Sequence, residues 1–330
     1  MPTNLPPEAV EAEKRYKEAR ELPEKISRLE EFMGLIPKHK GTDKLRAGLR
    51  KRLSKLREQQ AAGKKRGGGR GADAAWHIDR EGSGQVAVIG PPNSGKSALV
   101  SALTKAEPEV ADYPWTTRLP IPGMMSFENV RIQLIDTPPL TREHVEPELI
   151  DLIRRADAGL LVVDLQGDAL GQLEEAASLL SERKIVPRHQ RPEEDERGVV
   201  YPPLLVLVNK CDDPAADGDF EAFCELLTGD WPLLPVSATA GRNLDEVRRR
   251  VFAMLEIMRI YSKPPGKKAD TSSPFTLGIG SSVEQFAAAV HGDLRQQLKT
   301  ARVWGTGVHD GQTVSRDHVL HEGDVVELRV

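Results

Sequence analysis

Residues 85–104 read QVAVIGPPNSGKSALVSALT. VAVI is an aliphatic run too short for a helix, GPPNSG breaks regular structure with two glycines and two prolines, and Leu99, Val100 and Leu103 recur at helical spacing. Strand, loop and helix follow in that order. The loop Gly90, Pro91, Pro92, Asn93, Ser94, Gly95, Lys96, Ser97 fits the pattern GxxxxGK-Ser/Thr, and Ala98 continues into the helix. Glycine at positions 90 and 95 lets the backbone fold around an anion with its amides turned inward. Lys96 then reaches β- and γ-phosphates, and the Ser97 hydroxyl is a magnesium ligand. The competing interpretation, a glycine turn ahead of an ordinary helix, is disfavoured because the pattern is rare by chance and stands here between a strand and a helix.

Phosphate binding does not choose a base. That choice is expected from NKCD, Asn209 to Asp212, at the end of the apolar strand LLVLV. A carboxylate at Asp212 accepts both the N1 and exocyclic amino protons of guanine, a donor pair that adenine lacks, so adenine would leave it unpaired. Asn209 would brace the loop and the Lys210 stem would cover the base. Ser237, Ala238 and Thr239 spell SAT at the next strand end and complete the expected base site. Between the two motifs, Asp136 ends the strand VRIQLI and is expected to hold magnesium through water. Thr117, with Thr116 as its rival, is the candidate switch threonine that closes on the metal and the γ-phosphate.

The rest of the chain arranges itself around this body. VAVIG, VRIQLID, GLLVVD, LLVLVNK and LLPVS alternate with longer amphipathic stretches, which predicts βαβ units and a mostly parallel sheet covered on both faces. KIVPRHQRPEEDERGVVYPP is too polar and proline-rich for a core and reads as a surface insertion. Ahead of the body, Ile26, Leu29 and Met33, then Leu45, Leu49, Leu53 and Leu56, predict a helical hairpin, followed by a Gly-rich basic linker. Behind it, PFTLGIG reads as a strand, Ser281 with Glu284 as a capping box, and VVELRV as a final strand. The expected divisions are a basic helical region over 1–79, the nucleotide-binding body over 80–261, a linker over 262–273 and a small β-rich domain over 274–330.

Composition sets outer limits. At 330 residues, with 39% apolar and 29% charged side chains, the chain has material for about two domains and is neither fibrous nor wholly disordered. No apolar run approaches the roughly 18–20 residues that span a bilayer, and the N-terminus is crowded with charge, so a cytoplasmic, membrane-free protein is expected. Cys211 and Cys224 are too few for a disulfide framework. The net charge of −4 divides unevenly: residues 38–70 carry +11 and the remainder −15. A basic arm of this kind is drawn to RNA by counterion release; a solvated helix and tether is the alternative.

The motifs GPPNSGKSALVSAL, ADYPWTTRLPIPG, DTPP, NKCD and SATAGRNLDEV resemble the Obg-like GTPases, above all the developmentally regulated GTP-binding branch. The tail segments FTLGIGSSVEQFAAAVH, ARVWG and TVSRDHVLHEGDVVELRV resemble the TGS domain, a ubiquitin-like β-grasp module. The resemblance implies a P-loop GTPase with a doubly wound sheet, a helical hairpin before it and a TGS domain after it. It also implies GTP, GDP and magnesium as ligands, and the ribosome or RNA as partner through the basic N-terminal region and the TGS domain. Two departures stand out. The family's DxxG is Asp136-Thr137-Pro138-Pro139 here, and proline has no N–H to give the γ-phosphate. The extra domain inserted in the branch's GTPase body has no room here. Leu140 occupies the place of a water-positioning glutamine, which implies hydrolysis that is slow without an activating partner. By the same resemblance Asn93 holds a potassium ion, with a plain turn-forming role as its alternative. Lys96, Thr117 and Asn93 are therefore the candidate catalytic residues, and a slow or non-enzymatic GTP-dependent RNA-binding scaffold is the rival function.

Overall fold

The computed structural model describes Ala12, Arg28, Leu29, residues 32–35, Leu49 and residues 76–104, 119–143 and 145–330. Two compact units divide the chain, Met1–Ala75 and Trp76–Val330. In the first, the described residues are helical, with Leu29, Phe32 and Leu49 buried. The expected hairpin pairing, the basic arm and the Gly-rich linker lie outside the described residues.

The second unit holds two sheets. Its first sheet runs in the order β2-β3-β1-β4-β5-β6, formed by β1 (Gln85–Ile89), β2 (Ile121–Phe127), β3 (Val130–Asp136), β4 (Ala158–Asp164), β5 (Leu204–Asn209) and β6 (Leu233–Pro235). All neighbours are parallel except β2, which is antiparallel to β3 at the edge. The aliphatic runs are continuous because both faces are covered. Val86 and Val88 of β1, Leu160 and Val162 of β4, and Leu205 and Leu207 of β5 pack toward α1 (Lys96–Thr104) and α5 (Leu244–Met254). Their alternates Ala87, Ile89, Leu161, Val163, Val206 and Val208 pack toward α2 (Pro147–Arg155), α3 (Ala169–Glu182) and α4 (Ala216–Leu226). Period-two alternation thus feeds two cores from one sheet, each buried Val, Leu or Ile side chain contributing about 1.5–3 kcal/mol. The polar stretch 184–203 is largely exposed, as a surface insertion should be.

The second sheet runs β10-β9-β11-β7-β8 and packs on α6 (Val283–Val290), with α7 (Gly292–Gln297) following. Its strands are β7 (Ile257–Ser262), β8 (Phe275–Gly278), β9 (Thr300–Trp304), β10 (Gln312–Val314) and β11 (Val325–Arg329). This corrects the expected division. Strand β7 pairs with β8 and β11, so residues 257–261 belong to the second sheet, and 263–274 is a loop between paired strands of that sheet. Ile257, Arg259 and Tyr261 alternate with Met258 and Ile260, a strand pattern easily read as the tail of α5. A second correction is one residue wide: α6 is capped by Ser282 with Gln285, each side chain meeting the other's backbone, and not by Ser281 with Glu284. Among the described residues no helix is long and apolar enough to cross a membrane.

Candidate functional site

The carboxyl ends of β1, β3, β4 and β5 converge on one rim, where ligands sit in open α/β sheets. Val88 of β1 lies in register with Asp136 of β3, and Asp164 of β4 with Asn209 of β5. The loop Gly90–Gly95 leaves β1 at this rim and enters α1. Gly90 has φ +149°, and a Cβ there would stand 2.2 Å from the Val162 carbonyl oxygen. Gly95 has φ +89°, and its Cβ would stand 2.3 Å from the Asn209 amide nitrogen. Both positions require glycine on two counts, backbone handedness and space. Asn93 adopts φ +61°, which asparagine tolerates better than most residues.

Lys96 is buried, and its ammonium donates to the carbonyls of Gly90 at 3.0 Å and Pro91 at 2.7 Å. Burial lowers its pKa to about 8, partly opposed by the Asp136 carboxylate. Burial raises the pKa of Asp136, against a hydrogen bond from Ser97 and the charge of Lys96. Asp136 Oδ1 is buried with no hydrogen-bond partner. An unpaired carboxylate oxygen beside the Ser97 hydroxyl fits a hard divalent cation, which at phosphate sites needs only one or two protein oxygens. Among the described residues no group of three or more His, Cys, Asp or Glu is placed to hold a metal alone. Thr116 and Thr117 lie outside the described residues.

Asn209 joins the two halves of the site. Its amide donates to the Ser94 carbonyl at 2.9 Å, and its carbonyl accepts from the Ala238 N–H at 3.3 Å. Asp212 Oδ1 accepts from Ser237 Oγ at 2.5 Å and Thr239 Oγ1 at 2.9 Å, and these bonds hold its pKa below the usual carboxylate range. The carboxylate is exposed and ionised, an acceptor with capacity to spare. The structure thus brings Gly90, Ser94, Gly95, Lys96, Ser97 and Asp136 together, and ties them through Asn209 to Lys210, Asp212, Ser237, Ala238 and Thr239. Pro91, Pro92 and Asn93 form the turn of the loop, and Ala98 is exposed on the first turn of α1.

Three features are not evident from the motifs. Thr137 donates its N–H and its hydroxyl to the Val88 carbonyl, at 3.3 and 2.8 Å. The Leu140 N–H donates to the Gly90 carbonyl at 3.0 Å, and the Leu140 side chain is buried in the core that also holds Ile89, Leu149 and Ile150. Thr137–Leu140 is therefore anchored on β1 and the phosphate loop without a glycine, while Pro139 itself is exposed. Asp164, paired with Lys210, is the third; its only sequence signal is an acid ending an aliphatic strand. Arg154 donates to the carbonyls of Arg183, Lys184 and Gly198, and Arg155 to that of Asp151, so both are engaged away from this rim.

The chain is similar to known GTPases in sequence and in fold. The family described as 50S ribosome-binding GTPase matches residues 85–199, and the TGS domain family matches residues 258–330. An uncharacterized GTP-binding protein of Methanocaldococcus jannaschii is 29% identical over 92% of both chains. Developmentally-regulated GTP-binding protein 1 of Xenopus laevis is 27% identical, and Ribosome-interacting GTPase 1 of Saccharomyces cerevisiae 25%, each over 92% of this chain and 98% of its own. The YchF GTPase of Schizosaccharomyces pombe shares the fold at a TM-score of 0.53, with 14% identity over 76% of this chain and 99% of that one.

Proposed function

The chain belongs with the GTPases that carry a C-terminal TGS domain, the developmentally regulated GTP-binding proteins among them, and on that premise we propose that it is a GTP-hydrolysing switch acting with the ribosome or RNA. The observation that carries the reading is the pair of hydrogen bonds made by Asn209, which locks the phosphate loop to the loop that fixes Asp212. Phosphate recognition and base recognition are then one rigid site. Lys96 would exchange the Gly90 and Pro91 carbonyls for phosphate oxygens, and the loop amides would surround the same anion. Ser97 and Asp136 would hold magnesium, with Thr117 as a further ligand; bound there, the ion neutralises charge on the β- and γ-phosphates. With Leu140 buried and its N–H given to the Gly90 carbonyl, and Pro139 lacking an N–H, neither residue offers a group to orient an attacking water. Hydrolysis by the isolated protein is accordingly slow, and an activating partner, or potassium held by Asn93, supplies what is missing. The basic region 38–70 and the TGS domain are the proposed attachments to ribosome or RNA.

Calorimetry with the two purines tests the core of this proposal. GTP and GDP should bind at least about a hundredfold more tightly than ATP, the discrimination expected when a mismatch leaves a buried polar group unpaired. Asp212→Asn should weaken GTP and strengthen xanthosine triphosphate, because an amide presents the complementary donor and acceptor edge. Equal binding of ATP and GTP would remove the base assignment. Phosphate release in potassium should exceed that in sodium several-fold, and Asn93→Gly, which keeps the left-handed turn while deleting the amide, should erase the difference. Absence of turnover even with ribosomes present would favour the non-enzymatic scaffold.

A further inference from the structure

We propose that Asp164 is a positioning residue for the guanine base: by gripping the Lys210 ammonium it stretches the lysine stem into a fixed apolar surface against which the ring lies. The proposal rests on the assignment of Asn209–Asp212 as the base site. Asp164 ends β4 directly beside Asn209, which ends β5. Its Oδ2 takes the Lys210 ammonium at 2.5 Å, with the two side chains 14% and 33% exposed. The carboxylate is itself held in place, because Oδ1 accepts the Gln166 N–H at 3.0 Å and the Asp164 N–H donates to Gln172 Oε1 at 2.9 Å.

Lys210 is held at both ends. Its backbone has φ +68°, a left-handed conformation that a long side chain adopts only when its surroundings enforce it. The enforcement is visible: Gln166 Nε2 donates to the Lys210 carbonyl at 3.3 Å, the Leu165 N–H donates to the Asn209 carbonyl at 3.0 Å, and the following Cys211 N–H donates to the Val236 carbonyl at 3.0 Å. A lysine side chain is otherwise among the most mobile, and ordering it at the moment of binding costs affinity. Anchored at its backbone and at Asp164, its four methylenes form a strip whose ordering cost has already been met. Such a stem, with its charge satisfied elsewhere, offers an apolar surface to a planar ring. Because the contact concerns the base alone, it should act equally on GDP and GTP. An ion pair that merely steadied the loop would alter thermal stability and leave nucleotide affinity alone.

The test is calorimetric titration of the full chain with GDP, a non-hydrolysable GTP analogue and ATP. Asp164→Asn should weaken GDP and the analogue by the same factor, about five- to twentyfold, the scale of one preorganised charged contact. Lys210→Ala should lose at least as much. The double variant should be no weaker than Lys210→Ala alone, since Asp164 acts only through Lys210. Asp164→Glu keeps the charge one methylene farther out and should fall between wild type and Asp164→Asn, which guards against a folding defect in the amide variant. Affinity within about twofold of wild type for Asp164→Asn, or additive losses in the double variant, would overturn the proposal while guanine preference stands. A wild type that binds ATP as tightly as GDP would instead bring down the base site and this proposal with it.

Discussion

Lys96 spends its ammonium protons on the Gly90 and Pro91 carbonyls while burial brings its pKa from 10.5 to about 8. Two opposite pH dependences result. Between about pH 8 and 10.5 the unfolded chain holds a proton that the native protein has released, so this residue makes the ligand-free fold more stable as pH rises through that window. Phosphate oxygens favour the ammonium, so nucleotide binding in the same window takes up a proton. GDP affinity should therefore be flat below about pH 7 and fall above pH 8, by as much as about tenfold per unit. Titrations in buffers of different ionisation heat measure the proton directly. Lys96→Arg, charged throughout, separates this effect from titration of the base, and affinity that stays flat past pH 9 in the wild type would show that Lys96 keeps its proton in the free protein.

The segment after Asp136 shows what an element can do without its usual glycine. Thr137 is pinned to Val88, and Leu140 is pinned to Gly90 and buried, so the missing amide at Pro139 falls between two fixed points. Pro139→Gly should place an N–H there without releasing the segment, and raise the preference for a GTP analogue over GDP by roughly ten- to a hundredfold, the value of one hydrogen bond to a charged group. Unchanged preference in paired affinity measurements would mean that the amide at this position does not face the γ-phosphate. This anchoring is not legible in the sequence, where Asp136-Thr137-Pro138-Pro139 shows only that the amide of the usual glycine is missing. Bonds from Thr137 to β1 and from Leu140 to the phosphate loop join residues about fifty apart, and no local pattern records them. Strand β2 is hidden for another reason. Pro122 and Gly123 interrupt IPGMMSF, and only an edge position, where a proline N–H is not needed by the sheet, lets it pair. The phosphate loop and NKCD, by contrast, are legible because their chemistry is contained in consecutive residues, and β1, β4 and β5 because each is a buried, nearly continuous aliphatic run.

At the scale of the molecule, the two sheets of the second unit meet at a small polar joint. The β2–β3 hairpin starts at Ile121 opposite Asp136, beside the phosphate loop, and ends seven residues away at the turn Glu128–Asn129. That turn meets β7. Arg259 forms an ion pair with Glu128 and donates to Asn129 Oδ1 at 3.2 Å, while the Asn129 amide donates to Tyr261 Oη at 2.8 Å and to the Thr271 carbonyl at 3.3 Å. The Arg259 guanidinium also lies 5.2 Å from the centre of the Phe252 ring, which in turn packs on Phe127. Arg259 is 15% exposed but Glu128 is 57% exposed, so solvent screens their attraction and the pair is worth about 0.5–2 kcal/mol. A cycle of Arg259→Ala, Glu128→Gln and the double variant should return a coupling energy in that range from denaturant unfolding. Glu322, whose carboxylate binds Arg259 Nε at 2.6 Å within the second sheet, is the control: its coupling to Arg259 concerns that sheet alone and should not change how the two sheets unfold together. If the joint holds the sheets as one cooperative body, Arg259→Ala should split a single calorimetric transition into two, because the arginine links Glu128 and Asn129 of the first sheet's hairpin to β7 of the second. A variant that still unfolds in one transition, with coupling near zero, would show that Asn129 and Tyr261 carry the joint without the arginine.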